Sequence, residues 1–134
     1  MTVCGCRNTE TMENAAVYRG HTYPVWSVDV CANDRLVASG SQDRTCKLWT
    51  LERTHPVRVL AGHLADVDCC VFHPNGVYVA TGSADRTVRL WSVADGAMVR
   101  TLVAHRATVL ALAFSPCGKL LASAGEDAHV KASP

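Results

Sequence analysis

The sequence predicts an all-β protein built from β-propeller blades, and two observations support this prediction. The chain of 134 residues repeats a set of landmark residues at a constant step of 42 positions. Within each repeat, short apolar runs alternate with turn residues, and about four strands in such a period are typical of a propeller blade. We therefore predict two complete four-stranded blades and a truncated third, as a fragment of a larger propeller.

Four kinds of landmark residue keep the 42-residue step: a histidine, a serine or threonine, an aspartate and a tryptophan. In chain order they are His21, Ser39, Asp43 and Trp49, then His63, Thr81, Asp85 and Trp91, then His105, Ser123 and Asp127. Ser133 stands where the step predicts a third tryptophan, and Ala132 stands where it predicts a leucine. The third repeat is therefore in register up to Lys131 and then departs from the pattern.

The strands follow one another in the same order within each repeat. The first is an apolar run, predicted at residues 25–30, 67–72 and 109–114. Turns with proline and glycine come next at 73–76 and 115–118, before a second strand rich in small residues at 36–41, 78–83 and 120–125. The third strand alternates apolar and polar residues at 45–49 and 87–91, and a fourth at 56–60 or 97–102 leads to the next repeat.

The repeats define the predicted domain organisation. Residues 15–131 are predicted to form a partial propeller, with repeats at about 20–50, 62–92 and 104–131. Residues 1–14 are polar and unpatterned, which predicts a flexible N-terminal tail, and 132–134 are predicted to be a C-terminal tail. Residues 14–20, "NAAVYRG", match the fourth strand of a blade whose first three strands are missing.

Composition limits the classes of partner and compartment. The net charge is +1, so an electrostatic field strong enough for nucleic acid or an anionic membrane is not expected. A basic nucleic-acid patch is therefore a weaker interpretation of Lys47, Arg44, Arg86 and Arg89 than a solvated strand and turn surface. No apolar run reaches the length of a membrane span, and the N-terminus lacks the apolar core of a secretory signal. Seven cysteines, mostly within predicted strands, favour buried thiols in a reducing compartment, the cytosol or the nucleus.

The Ser–His–Asp set suggests a hydrolase, but its repetition argues against one. An active site needs one constellation in one cleft, whereas this set recurs in every repeat, and the sequence has no Gly-x-Ser-x-Gly nucleophile elbow. A buried neutral imidazole can instead link a carboxylate to a hydroxyl, and a buried indole N–H needs a partner. We therefore predict structural tetrads, no catalytic residue and no cofactor.

Other residues are weaker candidates for chemistry. Cys4 and Cys6 have no matching Cys/His pair at the spacing of a zinc site, so no metal is predicted. Cys69 and Cys70 point to opposite faces of one strand and are predicted to pack in the core. His55 and His73 lie in connections and are predicted to be solvent-facing turn residues.

The landmarks resemble those of the WD40 repeat family over residues 15–131. The segments "YRGHTYPVWSVDV", "AGHLADVDCCVFHPNG" and "ATGSADRTVRLWS" are similar, more narrowly, to the WD40 subunits of TFIID- and SAGA-type transcription complexes. The resemblance implies part of a seven-bladed propeller that acts as a non-enzymatic scaffold in the nucleus. Its implied partners are protein subunits of a coactivator or initiation complex, histone-fold subunits among them, with no direct nucleic acid, membrane or small-molecule ligand. A generic WD40 adaptor, such as a substrate receptor of a ubiquitin ligase, is the alternative.

The resemblance also implies which residues contact partners. In WD40 domains these often include the residue before the turn aspartate and the residue after the first valine of the first strand. The first position is occupied here by Gln42, Ala84 and Glu126, and the second by Trp26, Asp68 and Leu110. We predict partner binding through Trp26, Asp68, Gln42 and Glu126, although Trp26 is equally suited to packing between blades.

Overall fold

The computed structural model describes residues 2–7, 14–21, 23–31, 36–50, 56–103, 105–127 and 130–133, and only the backbone of 2–7, 14–21 and 131–133. All regular secondary structure in these residues is β-strand. Within the same ranges there is no helix long and apolar enough to cross a membrane.

The described strands form four antiparallel sheets. In the order in which they occur, the strands are β1 (Thr2–Arg7), β2 (Asn14–His21), β3 (Val25–Val30), β4 (Leu36–Ser41), β5 (Thr45–Thr50), β6 (Arg58–Ala61), β7 (Val67–Phe72), β8 (Tyr78–Ser83), β9 (Thr87–Ser92), β10 (Met98–Val103), β11 (Val109–Phe114), β12 (Leu121–Gly125) and β13 (Val130–Ser133). β1 and β2 pair with each other, and β11, β12 and β13 form a three-stranded sheet. β3 to β6 and β7 to β10 each form a four-stranded sheet with neighbours in chain order. The predicted fold class of two complete blades and a partial third is therefore confirmed.

The N-terminal region differs from its prediction, because β1 lies within the predicted flexible tail. β1 pairs with β2 so that Cys4 faces Tyr18, and in the first blade Cys46 faces Leu60 in the same way. Cys4 and Cys46 are 42 positions apart, and so are Tyr18 and Leu60, so residues 3–6 keep the repeat step and occupy the place of a third strand, before the register shifts at Arg7. The backbone groups along one edge of β2 are thereby paired, which gives this segment a reason to be extended. At the other end, β13 includes 132 and 133, which were predicted to lie in a tail.

The blades pack through their first strands. The Asp29 carboxylate accepts a hydrogen bond from the Phe72 N–H at 2.8 Å, and the Ser27 hydroxyl accepts one from the Cys70 N–H at 3.3 Å. These bonds join β3 to β7 directly. Both faces of β7 are buried, since Cys70 belongs to the apolar cluster with the first blade and Cys69 to the cluster with Val109 of the third. The prediction that Cys69 and Cys70 point to opposite faces and pack is confirmed.

Small residues in the second strands allow this close approach. A Cβ atom at Gly40 would lie 2.8 Å from Val67 Cγ1, and one at Gly82 would lie 2.7 Å from Val109 Cγ1. Val67 and Val109 begin the first strand of the following blade, and both are fully buried. The core is therefore a series of interfaces between blades, in which each glycine accommodates the next valine.

Candidate functional site

The second blade contains a fully described tetrad. His63 Nδ1 lies 2.9 Å from Asp85 Oδ2, and His63 Nε2 lies 2.6 Å from Thr81 Oγ1. The Trp91 indole N–H donates to the same Thr81 oxygen at 2.8 Å. With a neutral imidazole the Nδ1–H donates to Asp85, and Nε2 accepts the Thr81 hydroxyl proton. Every polar atom of the tetrad then has a partner.

A tight turn positions the aspartate. Arg86 follows it with a φ of 72°, in the left-handed region, so the chain reverses immediately after Asp85. Asp85 Oδ1 accepts from the Thr87 N–H at 3.0 Å and from the Thr87 hydroxyl at 2.5 Å. Asp85 Oδ2 accepts from the Leu64 N–H at 3.0 Å as well as from His63. The carboxylate therefore connects the turn to the loop that precedes β7.

The environment sets the charge state of the pair. Burial lowers the pKa of His63 below its ordinary value, although the neighbouring Asp85 carboxylate acts in the opposite direction. Burial would raise the pKa of Asp85, but the hydrogen bonds from the Thr87 hydroxyl, the Leu64 N–H, His63 and the Thr87 N–H outweigh it and lower this pKa to about 2. The tetrad thus contains a neutral imidazole and an ionised carboxylate at neutral pH.

The third blade repeats the arrangement with serine in place of threonine. His105 Nδ1 lies 3.1 Å from both carboxylate oxygens of Asp127, and His105 Nε2 lies 2.8 Å from Ser123 Oγ. The Arg106 N–H donates to Asp127 Oδ2 at 3.0 Å, the same loop contact as in the second blade. The structure therefore brings together the three landmark residues that the sequence provides here.

In the first blade the structure describes three of the four landmark side chains. The Trp49 indole N–H donates to Ser39 Oγ at 2.8 Å. Asp43 Oδ1 accepts from the Thr45 N–H at 3.0 Å and from the Thr45 hydroxyl at 2.6 Å. The side chain of His21 lies outside the described residues.

The geometry of these groups limits what they can do chemically. A catalytic hydroxyl must reach a substrate, but Ser39 and Thr81 are both 0% exposed and Ser123 is 6% exposed. The Thr81 hydroxyl is engaged by both His63 and Trp91. In this arrangement the tetrads connect loops to strands, and none of the three hydroxyl groups is accessible to a substrate as a nucleophile. Within the described residues, no group of three or more His, Cys, Asp or Glu side chains could hold a metal ion.

Two hydroxyl pairs belong to these networks but were not predicted from the sequence. Ser41 and Ser83 are fully buried and donate to the carbonyls of Pro24 and Asp66 at 2.8 and 2.7 Å. Both also accept the N–H of the turn aspartate at 3.2 Å. Thr45 and Thr87 are the second pair, through the bonds to aspartate given above. All four keep the 42-residue step, which is the signal that could have identified them.

His73 corrects a prediction, because it is not a solvent-facing turn residue. Its Nδ1 accepts from the Asn75 N–H at 3.2 Å, so its Nε2–H donates to the Gly118 carbonyl at 2.9 Å. The ring also meets Phe114 edge-on, with centroids 4.9 Å apart. His73 therefore links the second blade to the third, which its position in a turn did not indicate. His55 lies outside the described residues.

Two of the predicted partner-contact residues, Trp26 and Asp68, lie at equivalent positions of neighbouring blades. The pairing of the first and second strands skips one residue in each blade, between Val25 and Ser27, Val67 and Cys69, and Val109 and Ala111. The skipped residues are Trp26, Asp68 and Leu110, which we call the bulge row. A β-bulge redirects the side chain of its extra residue, and all three line one groove along the first strands.

Two side chains of the bulge row are exposed, and its acidic member, Asp68, is half-buried. Trp26 is 52% exposed and Leu110 is 51% exposed. The Trp26 indole N–H donates to Asp66 Oδ2 at 3.1 Å, which orients the ring. Desolvation raises the pKa of Asp68 above its ordinary value, and repulsion from Asp66 and Glu126 raises it further. Trp26 therefore lies at the surface, bonded across to the loop of the second blade.

Gln42, Ala84 and Glu126 mark the same edge of each blade. Their backbone N–H groups donate to the carbonyls of Pro24, Asp66 and Thr108 at 3.0, 3.0 and 2.9 Å. Gln42 and Glu126 are exposed, and Ala84 is half-buried. The structure thus places the predicted partner-contact residues near the turns of three blades.

Comparison with known proteins gives one family and several partial relatives. The WD40 family model, described as WD domain, G-beta repeat, matches residues 12–50, 54–92 and 96–132. Transcription initiation factor TFIID subunit 5 of Caenorhabditis elegans is 41% identical over 69 residues, which cover 52% of this chain and 10% of that protein. Proteasomal ATPase-associated factor 1 of Homo sapiens is 39% identical over 59 residues, 44% of this chain and 15% of that protein. Transducin beta-like protein 3 of Bos taurus is 40% identical over 58 residues, 43% of this chain and 7% of that protein. The chain thus spans only a small part of each relative's length.

Proposed function

The chain belongs to the WD40 repeat family, and on this basis we propose that it is a non-enzymatic scaffold that binds other proteins through its bulge row. The predicted resemblance to this family is confirmed by three repeat matches. The observation that supports the proposal most is the contrast between the tetrads and the bulge row. The tetrad hydroxyls are buried and bonded, whereas Trp26 and Leu110 are large apolar side chains exposed on one groove. Exposed aromatic side chains of this kind are typical of protein interfaces.

We propose further that the complex is a nuclear transcription complex of the TFIID or SAGA type. The support is the 41% identity to a TFIID subunit over about half of this chain. The predicted segment similarity points in the same direction. Relatives with other names reach 39% and 40% identity over shorter stretches. The choice among complexes is therefore the part of the proposal that most needs an experiment.

The proposal can be tested by affinity purification of this protein from cells, followed by mass spectrometry of the proteins that co-purify with it. We expect subunits of a transcription initiation or coactivator complex, histone-fold proteins among them, and nuclear localisation. Trp26→Ala should reduce their yield, because it removes the largest exposed side chain of the bulge row. Val99→Ala is the matched control, since Val99 is 54% exposed on β10, away from the groove.

Two outcomes would contradict this function. Recovery of cullin-type ubiquitin-ligase subunits would favour the alternative adaptor role. Labelling of Ser39 by a serine-hydrolase probe in folded protein, abolished by His21→Ala, would favour catalysis over scaffolding.

A further inference from the structure

We propose that the bulge row binds an arginine-bearing segment of a partner protein, with the guanidinium between Trp26 and the acidic side chains beside it. This inference rests on the proposed function, because it specifies the chemistry of the partner at the same surface. It goes beyond that function by predicting which residue of the partner is recognised.

The shape of the groove provides the first argument. Trp26 from β3, Asp68 from β7 and Leu110 from β11 lie at equivalent bulge positions, so an aromatic side chain, a carboxylate and an aliphatic side chain follow one another across the groove, with the carboxylate in the middle. The bond from the Trp26 indole N–H to Asp66 occupies the edge of the ring and leaves its faces for contact. A planar cation stacks on such a face, and an aliphatic residue beside it in the segment can cover Leu110.

Charge provides the second argument. The charged residues that line the groove are Asp29 and Asp68, and its described lining contains no lysine or arginine. The Asp29 carboxylate is already bonded to the Phe72 N–H, whereas Asp68 forms no ion pair with any described residue. Asp66 and Glu126 are close enough to Asp68 to repel its ionised form, which is the source of part of its raised pKa. A cation entering the groove would offset this repulsion and lower the pKa of Asp68.

Arginine fits this combination better than other occupants. Its guanidinium stacks on aromatic rings and donates in a fork that matches carboxylates, whereas the lysine ammonium is a compact, strongly hydrated charge. An acidic groove repels the phosphates of a nucleic acid. An entirely apolar segment would leave the Asp68 charge desolvated without a partner. The occupant that the lining favours is therefore an arginine side chain flanked by small or aliphatic residues.

The test uses the whole chain labelled with ¹⁵N and a short peptide that has one central arginine between leucine and glycine residues. The chain has three tryptophans, of which Trp49 and Trp91 are buried, so the Trp26 indole N–H signal reports on the groove separately. The control peptide has citrulline, a neutral isostere, in place of arginine. We expect the arginine peptide to shift the Trp26 signal and to bind about tenfold more tightly than the citrulline peptide.

Two variants test whether the charge of Asp68 is required for binding of the arginine peptide. Asp68→Asn keeps the size of the side chain and removes its charge. It should weaken the binding of the arginine peptide by about tenfold and change the binding of the citrulline peptide little. Asp95→Asn is the matched control, because Asp95 is an exposed acid in the turn between β9 and β10, remote from the groove lining. It should leave binding unchanged within about twofold. Equal melting temperatures of the variants would show that the fold is intact.

Several results would overturn the inference. Equal affinity for the two peptides, an unchanged affinity in Asp68→Asn, or shifts of the buried tryptophan signals instead of Trp26 would each do so. Displacement of the arginine peptide by a single-stranded oligonucleotide would point to a different class of partner and would also overturn it.

Co-purification separates this inference from the proposed function. If Trp26→Ala loses the partner subunits and Asp68→Asn retains them, the scaffold function stands and arginine recognition is wrong. Loss in both variants, with retention in Asp95→Asn, supports both proposals.

Discussion

At the scale of single residues, Thr81 is the centre of the second tetrad, because its hydroxyl contacts both His63 and Trp91. Thr81→Val keeps the shape but leaves the Trp91 indole N–H and one ring nitrogen of His63 buried without a partner. We expect a loss of about 1–3 kcal/mol in the free energy of unfolding. Thr81→Ser is the matched control and should lose less than about 1 kcal/mol, the effect of one methyl group. Equal losses measured by denaturant unfolding would show that packing, not hydrogen bonding, is the role of Thr81.

The tetrad histidines His63 and His105 allow a comparison of complete and incomplete networks. His63 belongs to a network with a tryptophan, whereas Ser133 stands at the corresponding position of the third repeat. His63→Ala should therefore reduce the free energy of unfolding by about 1–3 kcal/mol, and His105→Ala should reduce it by less. Denaturant midpoints of both variants provide the measurement. Equal losses would show that the completeness of the network does not determine the effect.

The residues of the tetrads could be predicted from the sequence because their spacing repeats, but several of their partners could not. A 42-residue step relates equivalent positions in different blades, and it does not show which hydroxyl reaches which backbone group. Ser83 and Thr87 were missed for this reason, since their bonds to Asp66 and Asp85 depend on the turn geometry. His73 was misplaced because its partner, Gly118, lies in another blade.

At the scale of elements, the interface between blades depends on a glycine in each second strand. In Gly82→Ala the new Cβ would lie 2.5 Å from Cys69 Sγ and 2.7 Å from Val109 Cγ1, distances that real Cβ atoms do not adopt. Since β8 and β11 would have to move apart, we expect a loss of about 1–3 kcal/mol in the free energy of unfolding.

A double-mutant cycle with Val109→Ala tests whether this loss arises from the contact between blades. Val109→Ala destabilises by itself, because Val109 is fully buried, but it removes the methyl group that the new Cβ at position 82 would meet. The cost of Gly82→Ala should therefore be smaller in the Val109→Ala background than in the original protein. Strictly additive losses would attribute the effect to the strand itself.

At the scale of the whole molecule, the architecture was predictable and the N-terminal segment was not. Three apolar runs with the same period predicted β3, β7 and β11 at the residues where the structure has them. The segment 2–7 has no comparable apolar pattern, so its place as a strand depends on pairing with β2. Pairing between segments is a property of the folded chain, which periodicity within one segment does not reveal.

The response of the whole molecule to acid follows from the pKa values in the second tetrad. The pKa of His63 is lowered by folding, so the stabilisation is present above its unfolded value of about 6.5 and is lost as the pH falls below it. The pKa of Asp85 is also lowered by folding, from about 3.9 in the unfolded chain to about 2 in the folded protein, so its stabilisation is lost as the pH falls through this lower range. We therefore expect the free energy of unfolding to fall as the pH drops through about 6.5, and to fall again below about pH 4. Denaturant unfolding across this range measures both phases, and in His63→Gln the first should be smaller because the titrating ring is absent. A stability that rises on acidification from pH 7 to pH 5, or a first phase of equal size in His63→Gln, would contradict this assignment.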